Sequence, residues 1–201
     1  EIKEPVLLHI ITRKGKGYRF AEERPDDFHG TGPFDIKTGA PVNNEAGQSA
    51  GCFAGKILEK LGEKDTRIVV LTAAMEKGLG LEDFARRFPD RFFDVGIAEG
   101  HCITFASGLS KAGMKVFVAM YSTFLQRCYD QIFHDICLQK LPVVFLIDRA
   151  GIVGEDGPTH HGIFDISFLR TLPDLKIFTP YSMENLEYTI MKTLEENTPC
   201  F

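Results

Sequence analysis

From residue 48 onwards, short apolar runs alternate with segments of helical spacing, and this alternation constrains the fold more than any other feature. The runs are typical of parallel strands buried on both faces and read IVVLTAA, FFDVGI, KVFVAMY, VVFLID and KIFTP. Helices are predicted around them, over residues 48–62, 81–88, 99–113, 123–139 and 182–196, with Ser182 as the N-cap of the last. Strands that alternate with helices form βαβ units. We therefore predict an α/β fold, a parallel sheet with helices on both faces.

The first 44 residues do not follow this alternation. Residues 6–12 are rich in apolar side chains, which predicts a buried strand. Residues 13–44 are polar and contain Gly, Pro and Asp throughout, as expected of a linker or functional loop. We therefore assign residues 1–12 to the end of a preceding domain, 13–44 to a linker and 45–201 to the α/β domain. Both ends of the chain look cut, so further domains are expected on either side.

The composition excludes some classes of function. The chain has 23 Lys and Arg against 28 Asp and Glu, a net charge of −5, whereas a general nucleic-acid surface needs a basic face. No apolar run is long enough to span a bilayer, so neither nucleic acid nor a membrane is an expected partner. Five cysteines without a C-x-x-C pair indicate buried, reduced thiols. The expected location is the cytoplasm, or the plastid stroma if the source is a plant.

Three groups of polar and aromatic side chains follow strands directly, at the edge where parallel sheets bind ligands. The first is Glu99, in the segment FDVGIAEGH. A glutamate in the first turn of a helix is common because it favours the helix dipole, and such a residue is normally solvated. A buried, unpaired carboxylate is costly and would need a chemical task. Its small neighbours Ala98 and Gly100 would let a flat ligand approach the backbone, and both readings stay open.

The second group is YSTFLQR, from Tyr121 to Arg127. Phe124 either stacks on a ligand ring or packs between helix and sheet. Arg127 either reaches an anion or pairs with Asp130 along the helix.

The third group is the Gly-rich loop after VVFLID, which displays Arg149, Asp156, His160 and His161. Adjacent histidines point apart, and no carboxylate or cysteine stands at a usual ligand spacing, so no metal site is predicted. A hydrogen-bonding or proton-transferring histidine is favoured instead. In the linker, Lys14 of KGKGY and His29 of FHGTGPFD are either ligand contacts or solvated side chains.

Six segments, taken in order, carry a resemblance to a known family: KGKGY, FHGTGPFD, LTAAM, FPDRFFDVGIAEGH, YSTFLQR and DRAGIVGEDGPTHHG. From about Val6 to its end the chain resembles the 1-deoxy-D-xylulose-5-phosphate synthase family of transketolase-like thiamine diphosphate enzymes. The resemblance covers the pyrimidine-binding domain, preceded by the end of the diphosphate-binding domain; the C-terminal domain is absent. It departs at two positions, Gly100 and His161, where the family usually has Gln.

The resemblance implies a role for each candidate residue. Glu99 would share a proton with N1′ of the aminopyrimidine, and with His29 and His160 it would form the catalytic set. The cofactor contacts would be Glu99, Phe124, Ile97 and Lys14. The substrate contacts would be Tyr121, Arg127, Arg149, Asp156 and His160.

The implied reaction is the thiamine diphosphate-dependent condensation of pyruvate with D-glyceraldehyde 3-phosphate, with release of CO2. The product, 1-deoxy-D-xylulose 5-phosphate, feeds isoprenoid and thiamine synthesis. Mg²⁺ would be bound through the diphosphate-binding domain, the protein would be a homodimer, and this chain would be inactive alone. Two alternatives stay open: a pyrimidine-domain subunit of another transketolase or 2-oxo acid dehydrogenase type of enzyme, and a non-catalytic binding module.

Overall fold

The computed structural model describes residues 2–42, 49–154 and 157–201. The chain divides into two compact units, Glu1–Gly47 and Gln48–Phe201. In the first unit, helix α1 (Arg19–Glu23) lies next to a cluster of aromatic rings. The centroid of the Tyr18 ring lies 5.5 Å, 5.4 Å and 5.7 Å from those of Phe20, Phe28 and Phe34. Residues 13–42, which the sequence predicts as a linker, thus have an aromatic cluster of their own.

The strand predicted over residues 6–12 does not form. These residues belong to no helix or strand, and every one of them is exposed. Leu7 and Ile11, for example, keep 94% and 85% of their surface accessible. The prediction was wrong because an apolar run forms a buried strand only where a neighbouring strand pairs with it.

The second unit alternates helices and strands in chain order. Its elements are α2 (Ala50–Lys64), β1 (Ile68–Thr72), α3 (Glu82–Arg87), β2 (Phe92–Asp94), α4 (Glu99–Lys111), β3 (Lys115–Tyr121), α5 (Ser122–Leu125), α6 (Tyr129–Gln131), β4 (Val144–Asp148), α7 (Asp165–Leu169) and α8 (Met183–Thr193). Short 3-10 turns cover Lys77–Leu79, Pro89–Arg91, Gln126–Cys128 and Pro158–His160, and Ile132–Cys137 form a π-helical turn.

The four strands form one parallel sheet in the order β2-β1-β3-β4. Every residue of the central strand β1 is buried, which requires cover on both faces of the sheet. The predicted α/β fold with a parallel sheet is therefore confirmed. Asp94, Tyr121 and Asp148 end three of the strands, so the residues that follow them lie along the same edge of the sheet.

The predicted strand over residues 176–180 forms only in part. Lys176 and Cys200 make a parallel bridge, and Cys200 makes another with Val144 of β4. The backbone N–H of Phe178 donates to the carbonyl of Phe201 at 2.7 Å. The sheet is thus continued beyond β4 by single bridges.

Both serine caps in the second unit have the expected geometry. The Ser182 Oγ accepts a hydrogen bond from the N–H of Asn185 at 3.1 Å, as predicted, and the Ser49 Oγ accepts one from Cys52 at 3.2 Å.

The sequence pattern predicts one continuous helix over 123–139, but in the structure a 3-10 turn and a π-helical turn interrupt it. Irregular turns of this kind often accompany functional sites.

The five cysteines are free thiols, four of them buried, in agreement with the sequence prediction. Across the described residues, the structure contains no helix both long and apolar enough to cross a bilayer.

Candidate active site

The turn before α4 is built by Asp94, a residue that sequence reasoning missed. Its Oδ1 accepts hydrogen bonds from the N–H of Gly96 at 2.9 Å and of Ala74 at 2.7 Å. Gly96 has a φ of +69°, a conformation that favours glycine. Asp followed two residues later by Gly is a turn signal that could have identified this anchor. The turn determines where α4 begins, and therefore where Glu99 lies.

Glu99 is the first residue of α4 and is only 5% exposed. Its Oε1 accepts a short hydrogen bond from the Arg127 guanidinium, with which it forms an ion pair. Glu99 is thus not a solvated first-turn residue. Arg127 pairs with this carboxylate rather than with Asp130, the partner considered in the sequence analysis.

The ring of Phe124 lies among three candidate side chains. The Arg127 Cζ lies over it, 4.8 Å from the ring centroid. The Tyr121 ring is stacked on it at 6.0 Å and 25°, and the His160 ring meets its edge at 5.4 Å and 77°. Phe124 therefore belongs to a polar cluster that includes Glu99 through Arg127.

Arg149 extends this cluster along the strand edge. Its Cζ lies 3.8 Å from the centroid of the Tyr121 ring, and its Nη1 is 3.4 Å from the carbonyl of Gly78. Asp148 Oδ2 lies 3.5 Å from the same nitrogen. The Tyr121 hydroxyl lies so close to Gly78 that a Cβ there would come within 1.7 Å of it. The absence of a side chain at Gly78 thus gives the tyrosine its place.

The loop after β4 is held to α5 by hydrogen bonds that the sequence analysis did not identify. The Thr123 hydroxyl donates to the carbonyl of Thr159 at 2.9 Å, and the Ser122 hydroxyl donates to Asp165 at 2.9 Å. The Thr159 hydroxyl lies 3.0 Å from Nδ1 of His160. These contacts position His160 beside Phe124. Their partners are distant in sequence, so no local signal indicates them.

The two departures from the family pattern have different surroundings. The side-chain amide of Gln131 lies against Gly100, where an added Cβ would be 3.4 Å from it. The Gln131 Oε1 is buried and has no hydrogen-bond partner among the described residues. The His161 Nδ1 accepts a hydrogen bond from the N–H of Val153 at 3.1 Å. His161 therefore stabilises the loop backbone.

Four other predicted site residues are described separately. Lys14, whose Nζ is 3.6 Å from Asp26, and the exposed His29 belong to the first unit. Ile97 precedes Glu99 by two residues and is 80% exposed. Asp156 lies outside the described residues.

Two buried thiols lie close to the carboxylate. Burial, helped by the negative charge of Glu99, raises the pKa of Cys128 to about 12. Burial, with smaller effects from Cys128, Asp94 and Glu99, also raises the pKa of Cys102 to about 12. Both side chains are therefore neutral near pH 7 and are poor nucleophiles.

The described residues contain no group of three or more His, Cys, Asp or Glu side chains that could hold a metal ion. They do fit a flat, nitrogen-containing ring. The Arg127 guanidinium is not a ring, but it is planar and carries N–H donors, and it bonds to Glu99 while lying over Phe124. An aminopyrimidine ring could make the same two contacts.

The parallel α/β fold is the one expected of a pyrimidine-binding domain. A family model described as the transketolase pyrimidine-binding domain matches residues 49–201. The chain belongs to the transketolase pyrimidine-binding domain family.

Within that family, the chain is similar to proteins named 1-deoxy-D-xylulose-5-phosphate synthase, which confirms the resemblance seen in the sequence. It is 57% identical to the Caldanaerobacter subterraneus subsp. tengcongensis protein over 92% of this chain and 30% of that protein. It is 52% identical to the Halothermothrix orenii protein over 98% of this chain and 31% of that protein. The chain therefore spans about a third of the length of these relatives.

Solved structures show the same fold. One structure is described as a split gene transketolase, an inactive tetramer of four beta chains. It is 34% identical with a TM-score of 0.67, over 77% of this chain and 50% of that one. Transketolase from Campylobacter jejuni is 21% identical with a TM-score of 0.69, over 75% of this chain and 24% of that one. The second likeness concerns the fold alone.

Proposed function

We propose that this chain supplies the pyrimidine-activating half of a thiamine diphosphate site in a 1-deoxy-D-xylulose-5-phosphate synthase. The reaction condenses pyruvate with D-glyceraldehyde 3-phosphate and releases CO2. One observation carries the proposal. The planar guanidinium of Arg127 bonds to the buried carboxylate of Glu99 and also lies over the ring of Phe124. The identity of 57% and 52% to proteins of that name supports the choice of reaction.

In this proposal Glu99 exchanges a proton with N1′ of the aminopyrimidine. Burial excludes water from the carboxylate and strengthens its interaction with the ring. Phe124 stacks on the ring, and Ile97, exposed beside Glu99, supports the cofactor. When bound, thiamine diphosphate supplies the carbon nucleophile that attacks the keto acid, while the protein orients and polarises it.

The anionic substrates are bound by guanidinium groups. Arg149 lies at the same strand edge as Phe124, in contact with Tyr121, and a planar guanidinium binds phosphate or carboxylate through two hydrogen bonds. His160 and Asp156 contact the carbonyl and hydroxyl groups of the acceptor. His29 assists proton transfer, and Lys14 contacts the diphosphate.

The remaining parts of the site come from outside the chain. Mg²⁺ and the diphosphate are held by the diphosphate-binding domain, and the protein is a homodimer. This chain alone is therefore inactive, and CO2 release by the purified chain with pyruvate, glyceraldehyde phosphate, cofactor and Mg²⁺ would contradict that part.

The proposed role of Glu99 is tested in the protein encoded by the whole reading frame. Glu99→Gln should lower CO2 release from pyruvate by at least about a hundredfold, the usual scale for one acid–base group. Glu82→Gln is the matched control, because Glu82 also begins a helix but is exposed. The control should leave the rate unchanged. Full activity of Glu99→Gln and Glu99→Ala would instead favour a non-catalytic module.

A second candidate is a pyrimidine-domain subunit completed by a separate diphosphate-binding chain. The similarity to a protein described as a split gene transketolase favours it. Co-purification with such a chain, and activity restored on mixing the two, would support this candidate.

A further inference from the structure

We propose that Arg127 competes with the cofactor's aminopyrimidine for Glu99 and Phe124, and that cofactor binding releases Arg127 to bind an anionic substrate. This inference rests on the proposed function and adds an order of events to it. The structure supplies its basis in two contacts of one side chain. Arg127 donates to the Glu99 carboxylate and also lies over the Phe124 ring, 4.8 Å from its centroid.

The two contacts are those that the proposed function assigns to the aminopyrimidine. That ring is planar, presents a nitrogen to the Glu99 carboxylate and stacks on Phe124. The guanidinium is planar as well, and it presents N–H donors in its own plane. Because the guanidinium occupies Glu99 Oε1 and the Phe124 ring together, a flat ring that makes both contacts must displace it.

Arg127 is able to leave without unpacking the core. Its side chain is 52% exposed, whereas that of Glu99 is 6% exposed. Arg127 belongs to the 3-10 turn Gln126–Cys128. The side-chain amide of Gln126 donates to the carbonyl of Thr123 at 3.1 Å, and this hydrogen bond does not involve the Arg127 side chain. Displacement therefore needs a change of rotamer at the surface and a new partner for the cation.

An anion bound near Arg149 would be that partner. Arg149 lies over Tyr121, Tyr121 is stacked on Phe124, and Arg127 lies over Phe124. Two guanidinium groups thus stand along one row of aromatic rings. While Arg127 is paired with Glu99, its charge is neutralised. Once released, it adds an unpaired cation beside the row, which raises the affinity for a phosphate monoester.

The competition predicts an affinity change that can be measured without turnover. In the protein encoded by the whole reading frame, Mg²⁺–thiamine diphosphate should bind Arg127→Ala about three- to tenfold more tightly than wild type, because a competing internal ligand reduces apparent affinity by the fraction of sites it occupies. Arg127→Lys still pairs with Glu99 but cannot stack as a plane, so its gain should be smaller. Isothermal titration calorimetry without substrate measures the dissociation constant of the cofactor for each protein.

Arg149→Ala is the matched control. It also removes a guanidinium that lies over an aromatic ring, but this guanidinium is not bonded to Glu99. Its cofactor affinity should stay within twofold of wild type. Unchanged or weaker cofactor binding by both folded Arg127 variants would overturn the competition and leave the proposed function intact. Failure of the wild-type protein to bind the cofactor would overturn both.

A reciprocal measurement tests the release of Arg127. Coupling between two ligands must be equal in both directions. Glycerol 3-phosphate, which lacks the aldehyde, should bind wild type about three- to tenfold more tightly once the cofactor is present. In Arg127→Ala the cofactor should make no difference. An equal increase in both proteins would overturn the release step.

Discussion

The Asp94 carboxylate lies 2.7 Å from the backbone nitrogen of Ala74, and the same oxygen accepts a second hydrogen bond from Gly96. It thereby ties the end of β2 to the residues that follow β1. Ala74 has a φ of +61°, a strained conformation for alanine. This link fixes the turn from which Glu99 enters α4.

Removing the link should affect both stability and function. Asp94→Ala loses two hydrogen bonds worth about 1 kcal/mol each, so we expect the Tm to fall by about 3–8 °C. CO2 release should fall by more than tenfold, because a small displacement of a reacting group is costly. Asp94→Asn keeps the accepting oxygen and should recover most of both. If Asp94→Ala lowered the Tm but kept full activity, the turn would be structural only.

Glu99→Ala should remove activity without loss of stability. A buried carboxylate pays a desolvation cost that its ion pair only partly recovers, and the half-exposed Arg127 can turn to solvent once its partner is gone. We expect the free energy of unfolding, from guanidinium denaturation, to be unchanged or higher. A loss of several kcal/mol would indicate that Glu99 is retained for stability.

Gly78 should tolerate no side chain, whereas Gly108 should. A Cβ at Gly78 would lie 1.7 Å from the Tyr121 hydroxyl, so Gly78→Ala must displace Tyr121 and with it the contact to Arg149. We expect the KM for glyceraldehyde phosphate to rise about tenfold. A Cβ at Gly108 in α4 meets nothing within 4 Å, so Gly108→Ala should leave KM unchanged and raise the Tm slightly. Equal KM values for the two variants would contradict this account of Tyr121.

Stability should decrease in alkaline solution through the buried thiols. Cys102 and Cys128 have folded-state pKa values of about 12 against an ordinary 9.0. The unfolded chain therefore loses protons that the folded chain keeps, so the free energy of unfolding falls as pH rises from 9 towards 12. Burial also raises the pKa of Cys137 and Cys200 to about 11. Replacing Cys102 and Cys128 with Ala should therefore reduce this slope without removing it, in guanidinium unfolding measured between pH 8 and 11, and Cys52→Ala should leave the slope unchanged. An unchanged slope in the double variant would assign the effect to groups other than Cys102 and Cys128.

The repeating pattern of the second unit made most of its elements predictable. Strand β3 has the predicted bounds Lys115–Tyr121, and α4 begins at the predicted Glu99, because burial on both faces and helical spacing each leave a local mark in the sequence. The strand predicted over residues 6–12 was wrong, and the helix predicted over 123–139 is confirmed only as a succession of α, 3-10 and π turns. An apolar run does not say whether a pairing strand exists, and helical spacing does not show that a turn becomes 3-10 or π-helical.

The candidate site was predictable in its members more than in its connections. Glu99, Phe124 and Arg149 lie within five residues of a strand end and His160 lies in the loop after β4, and parallel strands bring their ends to one edge. The partner of Arg127 was not predictable, because its nearest acid in sequence, Asp130, lies at helical spacing while Glu99 is 28 residues away.

By itself, the sequence determined the class of fold and the edge of the sheet where the candidate side chains gather, since both follow from the local periodicity of apolar residues. Tertiary structure decided that Glu99 is buried and that one guanidinium joins it to Phe124. Burial and pairing depend on which distant segments meet, and the packing of β3, α4 and the turns after Tyr121 brings those segments together.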